Sequence, residues 1–267
     1  MEEDIVVNAY FSDNARFADL INGLVFEGEQ VIRKEDLKKE DTQTVSTERY
    51  HGTKNGITRT RDQLRRAAFG VHFALIGLEN QSQVHYLMPL RTMDYDIGEY
   101  LKQADVIKDE VKSVKGKGTV KGEYISRFHK YDRLQPCVTL VLYYGSEEWD
   151  GSRDIHGLLD LEGIPKKLRS MVGNYHMNLF EIRKIENTDI FRTDLKLVFD
   201  VIRCSEDKGK LKALIGENPA YQHLKRDAYL LIDKYANVKD LIKIKEEDEG
   251  DEVNMCKALE DMKEEYL

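Results

Sequence analysis

Apolar residues recur at three- and four-residue spacing at Phe17, Leu20, Ile21, Leu24 and Val25, the stripe of a helix that lays one face on a core. Ser12 or Asp13 stands just before it and can cap its first turn. Residues 33–60 carry no such order. They are polar, charged and weakly patterned, with Thr44, Val45 and Ser46 as a short edge strand, and they predict a mobile connection. After residues 61–69 and Gly70, the segment 71–79 is a continuous apolar run. It predicts a strand buried on both faces, and the best candidate for the centre of a sheet. From Leu90 the period lengthens: Met93, Ile97, Tyr100 and Leu101 mark a helical stripe that continues to about Glu110.

Further along, 136–144 is a second strongly apolar strand with β-branched and aromatic residues, ended by Gly145. Residues 175–182 suggest another strand, and 191–205, 224–235 and 253–266 suggest helices, the last set off by the acidic stretch 245–252. The stretch KSVKGKGTVKG at 112–122 is rich in Lys and Gly. It suits a flexible loop whose positive charges either reach a phosphate backbone or stay solvated.

Composition bounds this picture without changing it. A chain of 267 residues, 41% hydrophobic, can bury a sizeable core in one main domain. Cys137, Cys204 and Cys256 are odd in number and lack CxxC spacing, which fits a reducing cytoplasm. No run approaches the roughly 20 apolar residues of a membrane span, so a soluble protein with no membrane partner is expected. The net charge of −8 argues superficially against nucleic acid, but its placement matters more. Residues 245–267 hold ten Asp or Glu against three Lys, a net −7, which leaves −1 for the remainder. Within that nearly neutral body, Arg49, Lys54, Arg59, Arg61, Arg65 and Arg66 crowd around Asp62.

Side chains alternate along a strand, so Glu79 and Gln81 share one face while Ile76, Leu78 and Asn80 share the other. With a tight turn at Phe69 and Gly70, residue 62 lies opposite residue 77 and Asp62 falls diagonal to Glu79. A one-residue slip would move Asp62 to the other face. Two carboxylates beside an amide suit Mg²⁺, a hard cation that takes oxygen ligands and keeps several waters. Phosphodiester cleavage is the natural chemistry for such a centre. The same spacing also fits a merely solvated carboxylate at a strand end. Cys137 reads as a small buried hydrophobe, His72, His85 and His129 as surface or hydrogen-bonded residues, and Trp149 as a turn anchored on the core.

The segment ALIGLENQSQVHYLMPLRTMDYD, preceded by TRTRDQL, resembles the Rpn family of recombination-promoting nucleases, also described as transposases, within the PD-(D/E)XK superfamily. The segments FADLINGLVFEGEQVI, DRLQPCVTLVLYYGSEEWD and NMCKALEDM extend the likeness over almost the whole chain. ENQS followed by HYLMPLR is its most specific part. The resemblance implies an α/β fold with an αβββαβ core, a mixed central sheet flanked by helices, and additional C-terminal helices. It divides the chain into a core at 1–185, a helical extension at 186–244 and an acidic linker with a terminal helix at 245–267. It implies a DNA endonuclease using Mg²⁺, or Mn²⁺ or Ca²⁺, with Asp62 and Glu79 as metal ligands and Asp62, Glu79 and Gln81 as the catalytic set. Gln81 stands where most of the superfamily has Lys, and an amide cannot take a proton near neutral pH. A further acidic ligand on the first helix would be Asp19, with Glu27 and Glu29 as competitors. Arg59, Arg61, Arg65, Arg66, Arg91, Lys115, Lys117 and Lys121 would contact DNA, although Arg91 could instead pair with Asp94 or Asp96. Self-association is open. The alternative is a nuclease-like protein that binds DNA or another protein without cleaving.

Overall fold

The long apolar run does form the centre of a sheet. In the computed structural model, which describes residues 2–50, 53–113, 121–236 and 250–256, β5 (His72–Gln81) is flanked by β4 (Gln63–Phe69) and β6 (Cys137–Tyr143). β1 (Leu37–Lys39) and β7 (Asn178–Glu181) complete five strands in the order β1-β4-β5-β6-β7. The β1/β4 and β4/β5 pairs are antiparallel, and β5/β6 and β6/β7 are parallel. The fold is α/β with a mixed sheet. Before it come α1 (Glu2–Tyr10) and α2 (Asn14–Phe26), and between β1 and β4 lies a hairpin of β2 (Gln43–Tyr50) and β3 (Thr53–Thr60). Helix α3 (Met88–Ser113) and the short α4 (Lys121–Ser126) connect β5 to β6, and α5 (Lys166–Arg169) precedes β7. Then follow α6 (Leu195–Cys204), α7 (Lys208–Glu217), β8 (Leu224–Lys225), α8 (Arg226–Ala236) and β9 (Glu252–Val253), with β8 and β9 paired.

The two faces of the sheet differ in what covers them. Ala67, Ile76, Leu78, Leu140, Leu142 and Tyr144 point to one side, into a core shared with Phe17, Leu20 and Ile21 of α2, Val198 and Phe199 of α6, and Leu231 and Ile232 of α8. Residues 186–236 therefore share that sheet face's core with α1 and α2. The opposite face, carrying Leu75, Gly77 and Glu79 beside Cys137, Thr139 and Val141, lies under α3. No helix among the described residues is long and apolar enough to cross a membrane.

Several expected elements come out differently. Asp13, not Ser12, caps α2, its Oδ1 accepting from Ala15 N at 2.7 Å. Residues 33–50 and 53–60 are not a loose connection but form a short 3-10 turn, β1 and the β2–β3 ribbon. Of the helix expected at 253–266, Val253 instead belongs to a strand with Glu252, Met255 and Cys256 are helical, and 257–267 lie outside the described residues. Helix α3 spans its predicted range, but the predicted stripe is not its buried face: Ile97 and Leu101 are 42% and 50% exposed, whereas Thr92, Tyr95, Asp96 and Glu99 are buried. The β4–β5 turn uses Gly70 and Val71 rather than Phe69 and Gly70, since Phe69 pairs with His72 and Gly70 takes the positive φ of 64° that a two-residue hairpin reserves for glycine.

Beside β4 the register changes. Leu37↔Ala67 through Lys39↔Arg65 keeps one pairing, extended by the bond from Glu40 N to Leu64 O, whereas Gln43↔Thr60 and the bond from Arg61 N to Thr42 O follow a pairing shifted by one residue. Two residues, Asp62 and Gln63, thus oppose one. This is a β-bulge, which re-aims the side chains at its site. Regular alternation from Leu64 would send Arg61 to the α2 side; the bulge returns it to the face beneath α3, where its guanidinium lies against Gly77.

Close packing makes one glycine testable. A Cβ on the buried Gly23 of α2 would stand 2.6 Å from Phe191 Cδ1 and nearer still to Cε1. Alanine gains about 1 kcal/mol of helix propensity over glycine, but overpacking a core costs about 1–3 kcal/mol, so Gly23→Ala should lower the melting temperature and an added Phe191→Leu should recover part of the loss. A melting temperature at or above wild type for the single variant would contradict this packing argument.

Candidate functional site

The β4–β5 register, continued one residue past Gln63↔Leu78, sets Asp62 directly opposite Glu79 rather than diagonal to it. Asp62 leaves the ladder at the bulge, and its carboxylate caps the end of the neighbouring strand. Oδ2 accepts from Asn80 N at 2.7 Å and from Asn80 Nδ2 at 3.1 Å. Asn80 in turn accepts from the Tyr144 hydroxyl at 3.2 Å. Glu79, only 1% exposed, points under α3. Gln81 shares its face, and Gln81 Nε2 donates to Glu79 Oε1 at 3.4 Å.

Helix α3 supplies the countercharge. Arg91 Nη2 lies 2.5 Å from Glu79 Oε1, and Arg91 Nε donates to the Tyr95 hydroxyl at 2.7 Å. The expected alternatives, Asp94 or Asp96, are not its partners in these contacts. Burial alone would lower the Arg91 pKa, but Glu79, with smaller help from Tyr95 and Asp62, raises it above its ordinary value. Burial, then Glu79, likewise raises the Tyr95 hydroxyl, and Asp62 adds to it. Both carboxylates therefore act on the same guanidinium and the same phenol.

One turn further along α3 a second buried centre forms. Asp96 Oδ1 accepts from Arg61 Nη2 at 3.0 Å and from Thr139 Oγ1 at 2.6 Å, while Oδ2 accepts from the Tyr175 hydroxyl at 2.7 Å. Arg61 also lies 3.2 Å from Cys137 Sγ. Burial pushes the Cys137 thiol up to about 12, so it stays protonated. Tyr95 stands between the two centres, its ring centroid 5.4 Å from the Arg61 guanidinium and 5.6 Å from that of Arg91.

Other predicted site residues go elsewhere. Asp19 is not brought to this cluster: its two oxygens accept from Arg192 N, Thr193 N and the Thr193 hydroxyl at 2.6–3.0 Å, tying α2 to the segment before α6. Arg61 and Arg65 are buried, Arg65 completely, so neither guanidinium is presented to a nucleic-acid backbone. Arg65 instead bonds to Asn14 Oδ1 and to the Leu64 and Phe11 carbonyls. Arg66 pairs with Glu40 at 3.1 Å. Arg59 lies on β3 and Lys121 begins α4; Lys115 and Lys117 fall outside the described residues. Pattern reasoning missed Tyr95, Asp96 and Glu99 because they interrupt the apolar stripe of α3. Their spacing of three and four residues is the signal that they share one face.

Asp62, Glu79 and the Gln81 amide offer oxygen donors only, and Mg²⁺ is commonly held by one or two carboxylates with waters and substrate phosphate completing its shell. On donor chemistry the residues fit such a cation, provided that Arg91 yields Glu79. Among the described residues no group of three or more His, Cys, Asp or Glu converges on one point. Comparison of the chain with protein-family models, curated proteins and solved structures finds no match in any of the three.

The buried Glu99 makes the charge on α3 measurable. Burial, reinforced by Glu40, raises its pKa against the opposing pull of Lys102 and Arg61. A carboxyl raised in the folded state adds stability that is full below its unfolded pKa and lost as pH rises through the folded one. Glu99→Gln should therefore raise the melting temperature at pH 7, by a margin that shrinks as the pH falls toward 4. An equal gain at both pH values, or no gain at all, would contradict a buried, raised carboxyl.

Proposed function

We propose that this protein is a metal-dependent DNA endonuclease of the PD-(D/E)XK type, with Asp62 and Glu79 as the cation ligands. The observation that carries this reading is the grouping of these two carboxylates at one end of the β4–β5 pair, where Asp62 caps Asn80 and Glu79 shares its face with Gln81. With the β2–β3 ribbon and α4 set aside as insertions, the chain order α2, β1, β4, β5, α3, β6 follows the αβββαβ order of that superfamily, and supports it. When bound, Mg²⁺ or Mn²⁺ would polarise the scissile phosphate and shield the leaving oxygen. The protein's own groups do the positioning. Asn80 fixes the Asp62 carboxylate through two hydrogen bonds, Gln81 orients water or phosphate through its amide, and the half-buried Arg91 meets a phosphate. Arg59, Arg66, Lys115, Lys117 and Lys121 remain the backbone-contacting set, and Arg61 and Arg65 leave it.

A second reading, a nuclease-fold protein that binds DNA without cutting it, draws support from the Glu79–Arg91 ion pair, which occupies a ligand oxygen, and from the amide at Gln81. Nicking of supercoiled plasmid separates the two. With Mg²⁺ or Mn²⁺ the wild-type chain should nick, and Glu79→Ala should fall to the metal-free background. Equal activity of the two proteins would overturn the assignment. Binding that weakens steeply with salt, without cleavage in several divalent metals, would favour the second reading.

A further inference from the structure

The Glu79–Arg91 pair is asymmetric in its access to solvent. The Glu79 side chain is 1% exposed, and that of Arg91 is 38% exposed, so the guanidinium is the member that a solute meets first. It is also the movable one of the two arginines that flank Tyr95. Arg61 is locked in the interior by Asp96 and lies against Cys137, whereas Arg91 is held by Glu79 and the Tyr95 hydroxyl, with one edge open. A planar guanidinium binds phosphate as readily as carboxylate, in the same forked geometry.

We propose that Arg91 is a latch on Glu79. While it holds Oε1, the carboxylate does not take a divalent cation, and a nucleic-acid phosphate that draws the guanidinium outward opens Glu79 to the metal. The phosphate's identity rests on the nuclease reading above; the latch itself rests on the ion pair. Because the two bindings share Arg91, their coupling is reciprocal: DNA tightens metal binding, and metal tightens DNA binding by the same factor. Arg91 is in this sense a positioning residue, and metal affinity is the quantity that a merely structural ion pair would not couple to DNA.

The test is Mn²⁺ binding by electron paramagnetic resonance and calorimetry on the full chain. It is run with and without a cleavage-resistant phosphorothioate duplex. Arg91→Met should bind Mn²⁺ at least about tenfold more tightly than wild type in the absence of DNA. The duplex should tighten wild type by a similar factor and leave Arg91→Met unmoved. Tyr95→Phe keeps the charge and removes only the hydroxyl that steadies Arg91, so it should move affinity in the same direction by a smaller factor, and it decides the matter if Arg91→Met does not fold. Unchanged Mn²⁺ affinity in folded variants, or equal tightening of all proteins by the duplex, overturns the latch. Tight, Glu79-dependent Mn²⁺ binding by Arg91→Met without any plasmid nicking would uphold the latch and sink the nuclease reading. Glu79-dependent nicking with unchanged Mn²⁺ affinity would do the reverse.

Discussion

Helix α3 lies over a sheet face that carries charge, and every charge buried there has to meet its opposite on the helix. Glu79 meets Arg91, and Arg61 meets Asp96. An ion taken out of water loses several kcal/mol of hydration, which only a close, well-satisfied partner offsets. The positions of the helix along and around its own axis are therefore set by two pairs as well as by apolar contact. Tyr95, wedged between both arginines, keeps the pairs apart. Such a layer is weak evidence for stability but a strong constraint on register, since sliding the helix by one turn would leave a buried carboxylate facing no cation.

This constraint explains where sequence patterns were informative. The continuous apolar run of β5 and the period of 3.6 in α2 were legible because both elements bury apolar side chains, and Asp13 at the α2 start was one of two candidate caps. In α3 the helix was legible and its buried face was not. The face toward the sheet is polar, so the most apolar stripe, with Ile97 and Leu101, turned out to be exposed. The same blindness affected Arg61 and Arg65. A cluster of arginines around an aspartate reads as a solvated basic surface, and nothing in one-dimensional pattern says that a backbone bulge folds one of them inward and a ring of carbonyls buries the other.

Within the candidate site, the shared face of Glu79 and Gln81 followed from alternation alone. The relation to Asp62 needed the turn, and placing it one residue early set Asp62 diagonal to Glu79 rather than opposite it. Asp19 illustrates the limit from another side. A carboxylate on an amphipathic helix has no sequence mark that distinguishes a ligand from an anchor; only the amides of Arg192 and Thr193 decide that it is an anchor.

The short Gly70–Val71 turn also bears on the order in which the chain acquires its charges. Asp62 and Glu79 belong to one hairpin closed by two residues, a step that involves little loop entropy and occurs on the microsecond scale of isolated hairpins. Their counterion Arg91 lies only 12 residues beyond Glu79 and comes into place when α3 docks, whereas β6 pairs with β5 across 62 residues, as Leu75 with Cys137, a contact of much greater sequence separation and slower formation. The carboxylates and their countercharge thus belong to one contiguous stretch, residues 62–91, whose mutual contacts are all shorter in sequence than the pairing that brings β6 to the sheet.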